Sequence, residues 1–93
     1  MLVFEWDDEK RAANLASHGV DFESVCKLEW ETARFLPDLR VNYSEGRILA
    51  YALIGERLHA TVFTIRKSGL RIISMRKANN REIERYVEEL SRP

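Results

Sequence analysis

The spacing of apolar residues changes period twice along this chain, and that double change narrows the folds open to it. Before about residue 29 the apolar positions recur at near-four spacing, first Ala12, Ala13, Leu15 and Ala16, then Phe22, Val25 and Cys26. From Thr32 to Arg76 they alternate or form short continuous runs, broken by Pro37-Asp38, Gly55-Glu56 and Lys67-Ser68-Gly69. Beyond Asn79 helical spacing returns in Ile83, Val87 and Leu90. Strand-like runs bracketed by helical ones predict an α+β architecture: two N-terminal helices and one C-terminal helix, segregated to one side of a small antiparallel sheet.

Local signals set the boundaries. Residues 2–6 read as a short strand. Asp7 then offers an N-cap with acids in the first turn, and Gly19 suits a left-handed stop, which gives a helix over 8–18. Asp21 starts a second helix that fades near residue 29. Strands follow over 32–36, 47–54, 57–66 and 70–76, with a polar loop up to Gly46. The last three strands are joined by short turns and should form the middle of the sheet. Asn79 with Glu82 three residues on has the spacing of a capping box, which opens a helix over 80–91. A chain of 93 residues, 45% apolar, fits one domain over 1–93. Its longest apolar stretch is far below the roughly 20 residues of a membrane span, so no membrane is expected. Glu5, Asp7, Asp8 and Glu9 occupy the place where an export signal carries cations. A lone cysteine suits a reducing, cytoplasmic setting.

The charges balance at 15 cations against 15 anions, but they are unevenly placed. Residues 1–32 hold eight acids and three bases, whereas residues 66–85 hold seven bases (Arg66, Lys67, Arg71, Arg76, Lys77, Arg81, Arg85) against Glu82 and Glu84. Such a cluster attracts phosphates or an acidic protein. His18, His59 and Cys26 have no paired ligand spacing, so neither metal nor cofactor is expected. Cys26, on the apolar side of its predicted helix, reads as a buried thiol. No phosphate-cradling glycine loop or nucleophile elbow occurs, and the Asn42-Tyr43-Ser44 glycosylation acceptor is a chance match. Strict alternation puts Leu70, Ile72, Ser74 and Arg76 on one face of the last strand, with Arg71, Ile73 and Met75 on the other. Arg76 is then a strand-fixed guanidinium, suited either to a phosphate or to a carboxylate of the first helix.

Phe4-Glu5-Trp6-Asp7, Lys10 with Asn14, His18-Gly19-Val20, Phe22-Glu23, Ile72-Ile73-Ser74, Arg76-Lys77-Ala78, Arg81-Glu82 and Tyr86 together resemble the BrnT family of type II toxin–antitoxin toxins. The resemblance implies a RelE-like fold. It also implies an endoribonuclease that blocks translation, and a hetero-oligomer with a BrnA-type DNA-binding antitoxin. A metal-free cut by the ribose 2′-hydroxyl needs in-line placement and charge stabilisation on the phosphate. The family pattern makes Arg66, Arg76 and Tyr86 the catalytic candidates, with Arg66 and Arg76 converging on one phosphate if the hairpin register allows. Lys10, Arg71, Lys77 and Arg81 are candidate RNA contacts. Packing remains open for Tyr86, a structural role for His59 and for Asn14, and capping for Glu82. The alternative function is an inactive binding module whose basic face holds an acidic partner.

Overall fold

The structure, a computed structural model, describes residues 2–40 and 45–92, which leaves the Asn42-Tyr43-Ser44 reading outside the described residues. Its elements in chain order are β1 (Phe4–Glu5), α1 (Asp8–His18), a 3-10 helix (Phe22–Lys27), β2 (Glu29–Pro37), β3 (Ile48–Ile54), β4 (Arg57–Arg66), β5 (Gly69–Lys77) and α2 (Asn80–Leu90). The five strands form one sheet in the order β1-β5-β4-β3-β2. As predicted, β3, β4 and β5 are its antiparallel middle. The sheet as a whole is mixed rather than antiparallel, because β1 runs parallel to β5 through Phe4–Leu70 and Glu5–Arg71.

The end signals act as read. Asp7 accepts from the Glu9 amide, Gly19 is left-handed at φ 70°, and Asp21 accepts from the Glu23 amide. The second helix is nevertheless of the 3-10 kind, and this corrects the reading of Cys26. With three residues per turn, Phe22 and Val25 share the buried stripe and Leu28 continues it, while Cys26 is rotated out and exposed.

The helices also take both faces of the sheet rather than one. On the first face, α1 and the 3-10 helix cover Ala50, Ala52, Phe63, Ile72 and Met75 with Val20, Phe22, Val25 and Leu28. On the second, Tyr86 and Ile83 of α2 pack with Leu58, Ala78, Tyr51 and Leu53. Because strand side chains alternate, a run such as Ile48–Ile54 that is apolar at every position supplies both layers.

A bulge in β5 alters the alternation expected there. Val62 pairs with Ser74 and Phe63 with Ile72, so Ile73 has no opposite residue. Leu70, Ile72 and Met75 therefore all serve the first core, whereas Ser74 and Arg76 face α2. Just beyond the bulge, Asn14 of α1 substitutes for a strand. Its amide donates to the carbonyls of Met75 at 2.8 Å and Val20 at 2.9 Å, and its oxygen accepts from the Met75 amide at 3.1 Å. The opposite end of β5 is closed by Gly69, where a side chain would collide with the Val3 carbonyl oxygen.

Two stability outcomes follow from this packing. Asn14→Ala strands three buried backbone and loop partners and should cost about 3 kcal/mol in urea denaturation. Thr61 is fully buried between Ala50 and Met75, and its hydroxyl has no hydrogen-bond partner. Thr61→Val should accordingly raise stability by about 1 kcal/mol in the same measurement.

Candidate RNA-binding cleft

The second face of the sheet is only partly covered by α2, and a cleft of about 350 Å³ opens between them, walled by Arg34, Tyr51, Arg81, Glu82, Arg85 and Tyr86 among others. A smaller hollow of about 180 Å³ adjoins it along β4 and β5, with Arg40, Ser74 and Arg76 in its lining. Tyr51 and Glu82 belong to both, so the two hollows meet at that pair. Five arginines against Glu82 and Glu89 make the combined surface cationic.

Glu82 organises the junction. As the third residue of α2 it closes the capping box, with Oε1 accepting from the Asn79 amide at 2.9 Å while Asn79 Oδ1 accepts from the Glu82 amide. The same carboxylate receives the Arg76 fork, Nη1 to Oε1 at 2.7 Å and Nη2 to Oε2 at 2.9 Å. Tyr51 Oη donates to Oε2 at 2.5 Å. Four donors saturate the carboxylate, and the Arg76 hydrogen bonds, aided by those from Tyr51 and Asn79, hold it down to about 2 from an ordinary 4.5. Arg76 is raised in turn, chiefly by its bonds to Glu82. Burial, reinforced by the bond to Glu82, pushes Tyr51 up to about 12, so it stays a phenol at neutral pH. Arg76 keeps 35% of its side chain exposed against 15% for Glu82, which leaves the fork's outer edge open to the hollow.

The residues singled out from sequence divide among distinct places. Arg76, Arg81 and Tyr86 meet at this cleft. Tyr86 is nearly buried, and its hydroxyl donates to the Thr32 carbonyl at 2.9 Å. That carbonyl lies where β2 slips register against β3 between Glu29 and Arg34, so Tyr86 ties α2 to the edge strand and builds one cleft wall. The expected convergence of Arg66 and Arg76 is overturned. In a tight hairpin the end of one strand meets the start of the next. Arg66 thus lies opposite Gly69 and Arg76 opposite Ala60, six positions along β4, or about 20 Å apart. Each has its own carboxylate, Arg66 with Glu45 at 3.2 Å and Arg76 with Glu82. The carboxylate that engages Arg76 thus comes from the last helix, not the first. Arg71 turns to Glu5 at 3.8 Å. Lys10 lines a shallow depression between α1 and β5, beside His18 and Ile73, and Lys77 is an exposed strand end opposite His59.

His59 is buried, with Nδ1 3.0 Å from the Arg57 carbonyl, and burial lowers its proton affinity. Tyr51, Arg34 and the second role of Glu82 escaped the sequence reading. The signal for Tyr51 was a lone phenol in the aliphatic run Ile48–Ile54, and for Glu82 a capping acid six residues after a strand arginine.

The profile of the family described as the ribonuclease toxin BrnT of type II toxin–antitoxin systems matches residues 6–82. The chain belongs to that family. Membership brings an RNA target and an antitoxin partner. No curated relative matches the chain. Among the described residues, no helix is long and apolar enough to cross a membrane.

The Glu82 hub makes a pH-dependent prediction. Its folded-state affinity for protons lies below the unfolded value, so its contribution is full above about pH 4.5 and is lost as pH falls toward about 2. In urea melts, Glu82→Gln should be less stable than the parent at pH 7, and the gap should close between pH 4.5 and 2. A gap of constant size down to pH 2 would exclude Glu82 as the source.

Proposed function

We propose that the protein is a metal-independent endoribonuclease toxin that cuts RNA in the cleft between the sheet and α2, and that a BrnA-type antitoxin neutralises it. The observation that carries this reading is the Arg76 fork, held by Glu82 at the junction of two arginine-lined hollows in a member of a ribonuclease toxin family.

The ribose 2′-oxygen attacks the adjacent phosphorus and loses its proton, while the 5′-oxygen of the next nucleotide leaves and gains one. The products are a 2′,3′-cyclic phosphate and a free 5′-hydroxyl. Negative charge grows on the phosphate oxygens in the transition state, and a guanidinium already fixed by a carboxylate meets it without reorganising. Arg81 and Arg85 then hold flanking phosphates as mobile point contacts. Glu82, saturated by four donors, is a poor base, so it is a positioning residue for Arg76. Tyr86 shapes the cleft wall through Thr32. His59 faces Ala52 and Lys77 on the opposite side of the sheet and takes no part. Charge stabilisation is assigned to arginine on the geometry of the Arg76 fork. Arg66, Arg71, Lys10 and Lys77 lie outside the cleft and have no role in the cut itself.

Arg76→Ala should lower RNA cleavage by roughly 100-fold to 1,000-fold, the loss typical of one preorganised charge-stabilising donor set. Arg76→Lys should not restore it, because an ammonium lacks the planar fork that Glu82 grips. Gel assays on bulk RNA, with circular dichroism to confirm folding, check both. Arg81→Ala should weaken RNA binding and reduce the slope of log affinity against log salt by about one. Cleavage should persist in excess chelator. Full activity of soluble Arg76→Ala protein would remove the cleft from the reaction.

A further inference from the structure

The basic cluster of residues 66–85 is one feature in sequence but two in space. Arg76, Arg81 and Arg85 line the cleft, whereas Arg66 and Lys67 sit at the β4–β5 turn, at the other end of the sheet. Beside that turn lies a second concavity, of opposite character. On the first face of the sheet, at the margin of the core that the 3-10 helix covers, Trp30, Phe35, Ile48, Phe63, Ile65 and Leu70 line an open groove of about 440 Å³ with entirely apolar walls. Phe4, Trp30 and Phe35 stack in a row, ring centroids 6.0 and 6.1 Å apart, which gives the groove a stiff aromatic floor and rim. Phe35 is 52% exposed and Ile65 67% exposed, so these are apolar side chains in contact with water. A contiguous patch of this kind marks an interaction site. The groove continues through Leu2, Ile65 and Leu70 into a shallower one bordered by Arg66 and Lys67.

We infer that this groove is where the antitoxin docks, by a segment that places apolar side chains against Trp30, Phe35 and Ile65 and carboxylates against the Arg66–Lys67 turn. The inference rests on the family's antitoxin partner and not on the assignment of the RNA cleft. Charge decides the chemistry of the occupant. RNA would find no cation inside the groove. A protein segment with an acidic flank fits both parts, since the Arg66–Glu45 pair is exposed and readily exchanged and Lys67 makes no ion pair among the described residues. Docking on this face would leave the cleft of the second face to be blocked by the bulk of the antitoxin or by its reach around the sheet edge.

The test is calorimetric titration of the purified toxin with the antitoxin of its own pair, alongside RNA cleavage by free toxin. Ile65→Glu should weaken antitoxin binding by at least about 100-fold, as a charge in an apolar anchor site does, while cleavage stays at the parent rate. Phe35→Ser, a milder change at a half-exposed position, should weaken it in the same direction and guards against a folding defect in the first variant. Lys67→Glu should weaken binding by about tenfold at low salt, with the difference shrinking at high salt. Antitoxin affinity within twofold of the parent for both Ile65→Glu and Phe35→Ser would overturn the inference. So would variants that lose only RNA cleavage, or only self-association in sedimentation. Arg76→Ala separates the two readings: retained cleavage there would sink the RNA cleft and leave the groove untouched.

Discussion

A single carboxylate joins the three parts of this molecule that matter for its chemistry. Glu82 caps α2, grips the Arg76 fork from the end of β5 and accepts the phenol of Tyr51 from β3. Those bonds fix the angle at which the last helix leaves the sheet, and so they fix the cleft between them. They also decide the protonation of every group involved: a carboxylate with no appetite for protons, a permanently charged guanidinium and a phenol that keeps its hydrogen. The hydrogen bonds to Glu82 outweigh its desolvation, so the ionised form stabilises the fold at neutral pH. The ion pair's value to the cleft lies in geometry, as it holds a rigid fork with one edge toward solvent where a flexible cation would have to be ordered on binding.

Conventional proton-transfer groups are scarce in this cleft, and the arrangement makes sense of that. The family is one of ribonucleases, yet the buried histidine lies on the wrong face and the acid at the centre is saturated. In the 2′-hydroxyl attack proposed above, RNA supplies its own nucleophile, and the protein's task would reduce to placing a phosphate and neutralising it as charge builds. Arginines do both over any pH at which the protein is folded.

Much of the fold was legible because the local signals agree with one another. Asp7, Gly19, Asp21 and the Asn79–Glu82 box act at the positions where they occur, and β3 to β5 follow from their turns. What the sequence concealed has definite physical causes. Propensity does not distinguish a 3-10 helix from a short α-helix, and that difference moved Cys26 to the surface. A bulge cannot be seen in a pattern of alternation, and the one at Ile73 moved Leu70 and Ile72 to the face opposite Arg76. An apolar run reads the same whether one or both sides are covered, which hid the placement of α2. At the site, the family pattern named Arg66, Arg76 and Tyr86, and the convergence of Arg66 with Arg76, which depended on the hairpin register, fails on that register. Closeness in sequence across a turn brings adjacent ends together, and those two residues are at opposite ends.

On the reading proposed here, nucleic acid meets this protein at the Glu82–Arg76 junction and not elsewhere along the basic segment. Titrating isotope-labelled toxin with a 2′-O-methyl RNA oligonucleotide, which binds without being cut, and following amide and guanidinium NMR signals tests it most directly. The account predicts shifts concentrated at Tyr51, Ser74 to Lys77 and Asn79 to Arg85, with the Arg76 Nε–H resonance among the largest. Shifts centred on Arg66 to Arg71 or on Lys10, with Arg76 silent, would contradict it.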